Sequence, residues 1–289
     1  MMTSEALEAF LWKHGTKKVI ANLAQNIYKG GADFDGIAPP KSMYERFDVE
    51  AIMYKGHKVY SISSKGVGLT DTIYYLHGGG FAWGLSKIQW DIIGYFAQHL
   101  PYRVVVPDYP LVPHVTFREI YDYVLDVYKY TSQTKSRLFV VGDSAGASLV
   151  LGLEQLVEQQ QLRKPEHLIL ISPWMDIELR NPLIDAIDPI DPTLDRHGLK
   201  TIERLYADGE PHNPLVSPIY GNYVNASPMS LFIGTRDILY PDCNLFNERC
   251  KDKNIPLSYH EYKDMIHIFP LFDTPQGNEA KQVMLKLMK

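Results

Sequence analysis

Two short apolar segments constrain the fold of this chain more than any other feature. The sequences Leu138-Phe-Val-Val141 and Leu168-Ile-Leu-Ile171 contain no polar side chain, which is typical of strands in a sheet covered on both faces. Six other short runs have the composition of strands. The predicted strands are Val49–Tyr54, Lys58–Ser63, Thr72–Leu76, Arg103–Val106, Leu138–Val141, Leu168–Ile171, Leu231–Ile233 and Leu257–Tyr262.

Helix-length segments separate most of these strands from Thr72 onward. The predicted helices between them are Leu85–His99, Thr116–Thr131, Ala145–Gln161 and Asp242–Asp252. An alternation of strands and helices favours an α/β fold with a mostly parallel, doubly wound sheet. The first two strands follow each other closely, and we predict that they form an antiparallel hairpin.

The N-terminal segment, residues 1–45, has a different pattern. The Gly30-Gly31 and Pro39-Pro40 pairs end it. We expect this segment to form a helical cap over an α/β domain that spans residues 46–289. Its apolar residues recur at helical spacing, with an interruption near Gly15, at Leu7, Phe10, Leu11, Ile20, Leu23, Ala24 and Ile27.

A long interval interrupts the alternation of strands and helices. More than fifty residues, rich in proline and aspartate, separate Trp174 from Leu231. A loop of that length without structure of its own is improbable in a compact domain. We therefore predict that residues 180–212 form an insertion with a helix at about Leu199–Ala207, and that this insertion contributes to the cap.

Composition and charge exclude several classes of function. The 289-residue chain has a net charge of −5 without a long block of one sign, so we expect no nucleic-acid partner and no stable membrane association. The N-terminus does not resemble a signal peptide, and we expect a cytoplasmic protein. Because the cytoplasm is reducing, the only two cysteines, Cys243 and Cys250, are predicted to be free thiols. No histidine–cysteine cluster has zinc-site spacing, so neither a metal nor a cofactor is predicted.

Gly142-Asp-Ser-Ala-Gly146 is the strongest catalytic signal. It fits the pattern G-x-S-x-G and lies between a predicted strand and a predicted helix, which is the context of a nucleophile elbow. Such a turn is sharp, so it needs small residues on both sides of the serine that it exposes. The helix that follows offers backbone N–H groups and a favourable dipole to a developing anion. Ser144 is therefore the predicted nucleophile.

A nucleophilic serine needs a general base, and the base needs an orienting acid. In hydrolases of this architecture the acid and then the histidine follow the serine along the chain. Asp237 and His267 follow the last two predicted strands, and open α/β sheets place their sites at such strand ends. We predict that Asp237 is the acid and His267 the base. The alternatives are Asp176 and Asp242, the latter also a candidate N-cap, for the acid, and His197, His212 and His260 for the base.

The triple glycine in His77-Gly-Gly-Gly-Phe81 is costly in backbone entropy and needs a reason. The segment lacks the Gly-Lys-Ser/Thr of a phosphate loop, and Trp83 stands where a dinucleotide fingerprint requires its last glycine. An oxyanion hole remains, because side chains in the loop would block a substrate carbonyl. The predicted N–H donors are Gly79, Gly80 and Ala145, and His77 is expected to form a hydrogen bond within the loop.

Seven motifs give the chain a resemblance to the hormone-sensitive lipase-like family of α/β hydrolases, the bacterial family IV esterases. They extend from about Ile73 to Phe269 and read HGGGF, PDYPLVP, GDSAGASL, SPWMD, NPLVSP, GTRDIL and MIHIF. Three positions depart from the family, since Ala147 replaces a glycine, His114 an acidic residue and Pro110 an arginine. We expect the last two to change hydrogen bonding around the glycine loop or the elbow rather than activity.

The resemblance implies an α/β-hydrolase fold with an eight-stranded, mostly parallel sheet, helices on both faces and a helical cap. It also implies a carboxylesterase for small-molecule esters, and it suggests a homodimer; we expect short to medium acyl chains. An amidase or an acyltransferase would use the same machinery. A ligand-binding receptor similar to the plant gibberellin receptors would lack the catalytic histidine, so His267 argues against it. The candidates for the substrate pocket are Phe81, Trp83, Trp174 and Ile268, although aromatic residues often belong to the core.

Overall fold

A single sheet organises the computed structural model, which describes residues 1–15, 17 and 36–289. The strands of this part of the chain are β1 (Phe47–Tyr54), β2 (His57–Ser64), β3 (Asp71–Leu76), β4 (Tyr102–Pro107), β5 (Leu138–Asp143), β6 (His167–Ile171), β7 (Met229–Gly234) and β8 (Leu257–Tyr262). Their order across the sheet is β1-β2-β4-β3-β5-β6-β7-β8. These strands overlap all eight of the predicted ones.

The pairing of the strands confirms the predicted α/β class. β1 and β2 form the expected antiparallel hairpin, and β2 also runs antiparallel to β4. Every other neighbouring pair, from β4 and β3 to β7 and β8, is parallel. The carboxyl ends of β5, β7 and β8 therefore lie on one edge, where the loops that follow them can meet.

The helices surround this sheet and include all of the predicted ones outside the N-terminal segment. Those of the described residues are α1 (Ser4–His14), α2 (Lys41–Arg46), α3 (Lys87–His99), α4 (Phe117–Thr131), α5 (Ala145–Gln159), α6 (Ile184–Ile187), α7 (Arg196–Tyr206), α8 (Tyr240–Asp252) and α9 (Pro275–Leu287). The insertion helix α7 begins before Leu199 because the Asp195 side chain accepts the N–H of Gly198 at 2.8 Å.

Both faces of the sheet are covered, as the apolar strands require. In β3, Ile73 and Tyr75 point to one face, where they join a cluster that includes side chains of α3 and α9. Tyr74 and Leu76 point to the other face and join side chains of α4, α5 and α8. All four side chains are completely buried. Burial on both faces explains why residues 73–76 do not alternate between polar and apolar side chains.

The N-terminal segment is described in part. Its first helix, α1, ends at His14, and the following Gly15 adopts the left-handed conformation at the predicted interruption. Ser4 donates a hydrogen bond to Gln276 of α9 at 2.7 Å, and Glu8 pairs with Arg236 at 2.6 Å, so α1 lies against the body of the protein. The helix predicted over Ile20, Leu23, Ala24 and Ile27 lies outside the described residues.

The cysteines and the long helices add two observations. Cys243 and Cys250 are both buried and unbridged. Within residues 1–15, 17 and 36–289, no helix combines the length and the apolar composition that crossing a bilayer requires.

Candidate active site

Ser144 occupies the sharp turn between β5 and α5. Its backbone has φ 53° and ψ −123°, a conformation that a residue with a side chain adopts only when the surroundings enforce it. The flanking glycines explain how the turn closes. A Cβ on Gly142 would lie 2.6 Å from the carbonyl carbon of Gly146, and one on Gly146 would lie 2.1 Å from the carbonyl oxygen of Leu76. Glycine is therefore required at both positions.

His267 links Ser144 to Asp237 in one hydrogen-bonded chain. The Ser144 hydroxyl lies 2.9 Å from His267 Nε2, and His267 Nδ1 lies 2.8 Å from Asp237 Oδ2. The second carboxylate oxygen of Asp237 accepts the N–H of Leu239 at 3.0 Å. With Nδ1 donating to the carboxylate, Nε2 is left to accept the serine proton. The structure thus brings together the three residues that were predicted from three separate strand ends.

The rival acids are engaged elsewhere. The Asp176 carboxylate accepts hydrogen bonds from the N–H groups of Glu178 and Arg180 and from the Arg180 guanidinium. Asp242 lies in the first turn of α8, whose N-cap is Leu239. The predicted N-cap role of Asp242 is therefore wrong, because the helix begins earlier, with proline in its first turn. Burial raises the pKa of Asp242 to about 6.

The rival histidines also have other surroundings. His260 stacks on Phe232 with ring centroids 4.4 Å apart. His212 contacts Glu178 at 2.7 Å, and His197 is exposed on α7. His267 is the histidine that reaches Ser144.

The surroundings of His267 favour its protonated form. Burial opposes a charge on the ring, but the charge of Asp237, its hydrogen bond and the charges of Asp191 and Asp143 together raise the pKa of His267 above the ordinary 6.5. A raised pKa makes the imidazole a better proton acceptor toward a serine hydroxyl.

Asp143, inside the elbow motif, anchors the glycine loop. Its side chain is completely buried, and it accepts hydrogen bonds from Gly78 N–H at 2.9 Å, Tyr75 hydroxyl at 2.7 Å and Gln89 Nε2 at 3.1 Å. Burial raises the pKa of Asp143 despite these bonds. A Cβ on Gly78 would lie 3.0 Å from Ser144 Cβ, so this carboxyl holds the loop directly against the serine.

The three predicted N–H donors keep their hydrogens available. In the part of the chain that the structure describes, the N–H groups of Gly79, Gly80 and Ala145 donate no backbone hydrogen bond, whereas Gly79 accepts from Ala82 and Trp83 to close the turn. Gly79 and Gly80 have φ of 124° and 58°. A Cβ on Gly79 would lie 2.2 Å from the Trp83 carbonyl oxygen. The loop therefore needs glycine for its conformation as well as for access.

His77 has the role within the loop that was expected. Its Nδ1 lies 2.7 Å from the Gly78 carbonyl oxygen, and its ring stacks on Tyr109 at 4.2 Å. Burial lowers the pKa of His77 to about 4, so the ring is neutral. The Tyr109 hydroxyl donates to the His77 carbonyl at 2.6 Å. Side chains of Tyr109 and Asp143 thus support this loop, while His114 is exposed.

The family model that matches the chain is that of the α/β-hydrolase fold, and it covers residues 73–271. The chain belongs to the α/β-hydrolase family. The resemblance to hormone-sensitive lipase-like esterases that the motifs indicate is confirmed by this family match and by a curated esterase relative.

Relatives of this hydrolase have names that agree with the family. An esterase of Acinetobacter venetianus is 28% identical over 218 residues, which cover 73% of this chain and 72% of the esterase. An acetyl-hydrolase of Streptomyces hygroscopicus is 24% identical over 218 residues, which cover 73% of each protein. The crystal structure of a hormone-sensitive lipase from a metagenome library matches with a TM-score of 0.83 at 19% identity, covering 99% of this chain and 98% of that one. This last likeness supports the fold.

The hydrolase packs two of its predicted pocket residues into an aromatic cluster. Phe81 and Trp174 are almost fully buried. Phe81 stacks on Tyr206 of α7 with centroids 3.7 Å apart and lies 6.0 Å from the Trp174 ring. Trp83 is partly exposed beside the glycine loop, and Ile268 directly follows His267. The insertion thus supplies one side of the cluster.

Ser172 is a site residue that the sequence predictions omitted. It is completely buried at the end of β6, and its hydroxyl accepts the N–H of Ile268 at 3.0 Å. The bond fixes the backbone directly after His267. No group of three or more histidine, cysteine or acidic side chains among the described residues is arranged to hold a metal ion.

Proposed function

We propose that this protein is a serine carboxylesterase that hydrolyses carboxylic esters through an acyl-enzyme. The observation that carries the proposal is the Ser144–His267–Asp237 chain, with contacts of 2.9 and 2.8 Å. It lies beside a glycine loop whose Gly79 and Gly80 N–H groups donate no backbone hydrogen bond within the described part of the chain. Ser144 is the nucleophile, His267 the general base and Asp237 the acid that orients it. The names of the two relatives, an esterase and an acetyl-hydrolase, support an ester as the substrate.

In the first half of the reaction, Ser144 attacks the ester carbonyl. His267 Nε2 takes the hydroxyl proton as the new C–O bond forms, and the carbonyl oxygen becomes an oxyanion. The N–H groups of Gly79, Gly80 and Ala145 donate to that oxyanion. Each donor of this kind lowers the barrier by about 3 kcal/mol. The imidazolium then protonates the leaving alcohol as the ester C–O bond breaks, which leaves an acyl group on Ser144.

In the second half, water replaces the alcohol. His267 takes a proton from the water as its oxygen attacks the acyl carbon, and the oxyanion returns to the same N–H donors. The imidazolium then returns the proton to Ser144 as the acid is released. The cycle needs no cofactor, since each proton passes through the same Nε2 atom.

The described parts of the predicted cap support a substrate with a short to medium acyl chain. The Ile202 side chain of α7 is buried and approaches Gly80, where an added Cβ would lie 2.9 Å from it. Tyr206 of the same helix stacks on Phe81. We infer that residues 180–212, together with the N-terminal segment, form a cap that restricts the space beside the oxyanion loop.

Hydrolysis of p-nitrophenyl esters of increasing acyl length tests the proposal. We expect the wild type to prefer short to medium chains and Ser144→Ala to lose nearly all activity. Ser132→Ala, which changes an equivalent hydroxyl at the remote end of α4, serves as the matched control and should retain wild-type rates. Equal rates for Ser144→Ala and the wild type would exclude the serine mechanism, and highest activity on long chains would instead indicate a lipase.

A further inference from the structure

Asp191 is a completely buried acidic residue of the insertion. A buried carboxylate needs hydrogen bonds or a cation, because removing its charge from water is otherwise costly. Among the described residues it forms no ion pair with lysine or arginine, and backbone N–H groups bind it instead. They belong to Thr193 at 2.7 Å and Leu194 at 3.0 Å, both on Oδ1, and to Ile238 at 2.8 Å on Oδ2.

The two oxygens of Asp191 therefore serve different parts of the molecule. Oδ1 organises the turn that follows in the insertion, as aspartates commonly do in loops. Oδ2 reaches across to the N–H of Ile238, the residue directly after Asp237. A local turn needs only the first oxygen. The second is aimed at the backbone that carries the acid of the proposed triad.

The residue before Asp237 is held from the same side. The Arg236 guanidinium pairs with Glu8 of α1 at 2.6 Å and lies 3.4 Å from the carbonyl oxygen of Ile190. Both neighbours of Asp237 in the chain are thus bound by the two segments predicted to form the cap.

Asp191 also interacts electrostatically with the hydrogen-bonded Asp237–His267 pair. Burial and then the charge of Asp237 raise the pKa of Asp191 to about 6, and the charge of Asp191 contributes to the raised pKa of His267. Burial keeps the Cys243 thiol neutral by raising its pKa. The charge of Asp143 also raises the pKa of His267, whereas the Arg236 guanidinium pairs with Glu8.

We propose that Asp191 is a positioning residue for the reaction, a carboxyl group that the insertion supplies to hold the Asp237 loop and to face the Asp237–His267 pair. This inference rests on the proposed function. Asp191 does not touch the substrate and acts through Asp237. Through this one residue the insertion positions the acid as well as covering the site.

Asp191→Asn tests the inference, with Asp185→Asn as the matched control. The asparagine oxygen can keep the bonds to Thr193 and Leu194, but its amide then faces the Ile238 N–H, so two donors meet and the charge is lost. Asp185 belongs to the same insertion and is largely exposed, with 72% of its side chain in solvent. We therefore expect Asp185→Asn to leave kcat, KM and the pH profile close to those of the wild type. Active molecules are counted with an irreversible serine reagent, and kcat, KM and the pH profile are measured on p-nitrophenyl acetate.

We expect kcat of Asp191→Asn to fall by about tenfold or more while KM stays nearly constant. The acid limb of kcat/KM should move to lower pH, because His267 loses a negative neighbour. A wild-type kcat and acid limb in Asp191→Asn would overturn the inference, even if the melting temperature falls. If the asparagine variant does not fold, Asp191→Ser replaces it, because serine retains a local acceptor without the charge. The same values of kcat and of the acid limb then support or overturn the inference.

His267→Ala separates the two hypotheses. If His267→Ala retains activity, the proposed function fails. If it is inactive while Asp191→Asn and Asp191→Ser match Asp185→Asn in kcat and pH profile, the proposed function stands and the role of Asp191 is refuted.

Discussion

Replacing Asp237 by asparagine changes the proton arrangement of the site without changing its shape. The carboxylate now accepts the N–H of Leu239 on one oxygen and the N–H of His267 on the other. Asparagine has one acceptor and one donor at these positions. If the asparagine oxygen keeps the hydrogen bond from the Leu239 N–H, the asparagine amide donates to His267 Nδ1. This moves the imidazole proton to Nε2. Nε2 would then donate to Ser144 and could not take its proton.

The size of the effect follows from the charge and the tautomer together. The imidazolium formed in the reaction lies beside the carboxylate, with contact atoms 2.8 Å apart. For charge centres about 4 Å apart at an effective dielectric constant near 20, the attraction is about 4 kcal/mol. Loss of that energy slows the reaction about a thousandfold. The wrong tautomer adds to this, so we expect kcat to fall by roughly 10³ to 10⁴.

The assay compares Asp237→Asn with Asp242→Asn on p-nitrophenyl acetate. Asp242 is a good control because it is also buried, only 2% exposed, and lies nearby in the chain, yet it does not contact His267. We expect Asp242→Asn to stay close to the wild type. An Asp237→Asn variant within a few-fold of the wild type, or a larger loss in Asp242→Asn, would refute the reasoning.

A pH titration and two further substitutions test other parts of the site. The kcat/KM of the wild type should rise with pH through a midpoint above 6.5, because His267 must be neutral to act as a base; a midpoint well below 6.5 would contradict this. Neutral His77, with a folded pKa of about 4 and an unfolded one near 6.5, stabilises the fold fully above about pH 6.5 and loses up to about 3 kcal/mol as the pH falls toward 4. Urea unfolding of the wild type and His77→Asn should therefore show a stability difference that shrinks on acidification, and a constant difference would refute it. Ser172→Ala leaves the buried N–H of Ile268 without its acceptor, so kcat should fall by roughly ten- to a hundredfold with little change in KM; an unchanged kcat at equal folded fraction would oppose that role.

The strands and the three residues of the proposed triad are predictable because their signals are local. The strands before these residues show their pattern within three to six residues, apolar before Ser144 and Asp237 and alternating before His267. Parallel strands bring their carboxyl ends to one edge, so the meeting of these loops follows from the fold class.

The supporting residues are not predictable because their partners lie far away in the chain. Asp143 bonds Gln89, Ser172 bonds Ile268 and Asp191 bonds Ile238. A short motif shows a carboxyl or hydroxyl group but not which distant N–H it will meet. By contrast, α9 has a local signal in the sequence, since Thr274 caps a helix with proline at its first position.

Labelling of Ser144 tests the central claim most directly. The protein is treated with phenylmethylsulfonyl fluoride, digested and examined by mass spectrometry, while residual esterase activity is followed in the same samples. The proposed mechanism predicts one adduct per chain, on the peptide that contains Ser144, with activity lost in proportion and with much slower labelling in His267→Ala. Esterase activity that survives complete labelling of Ser144, or inactivation that tracks an adduct on another residue, would contradict it.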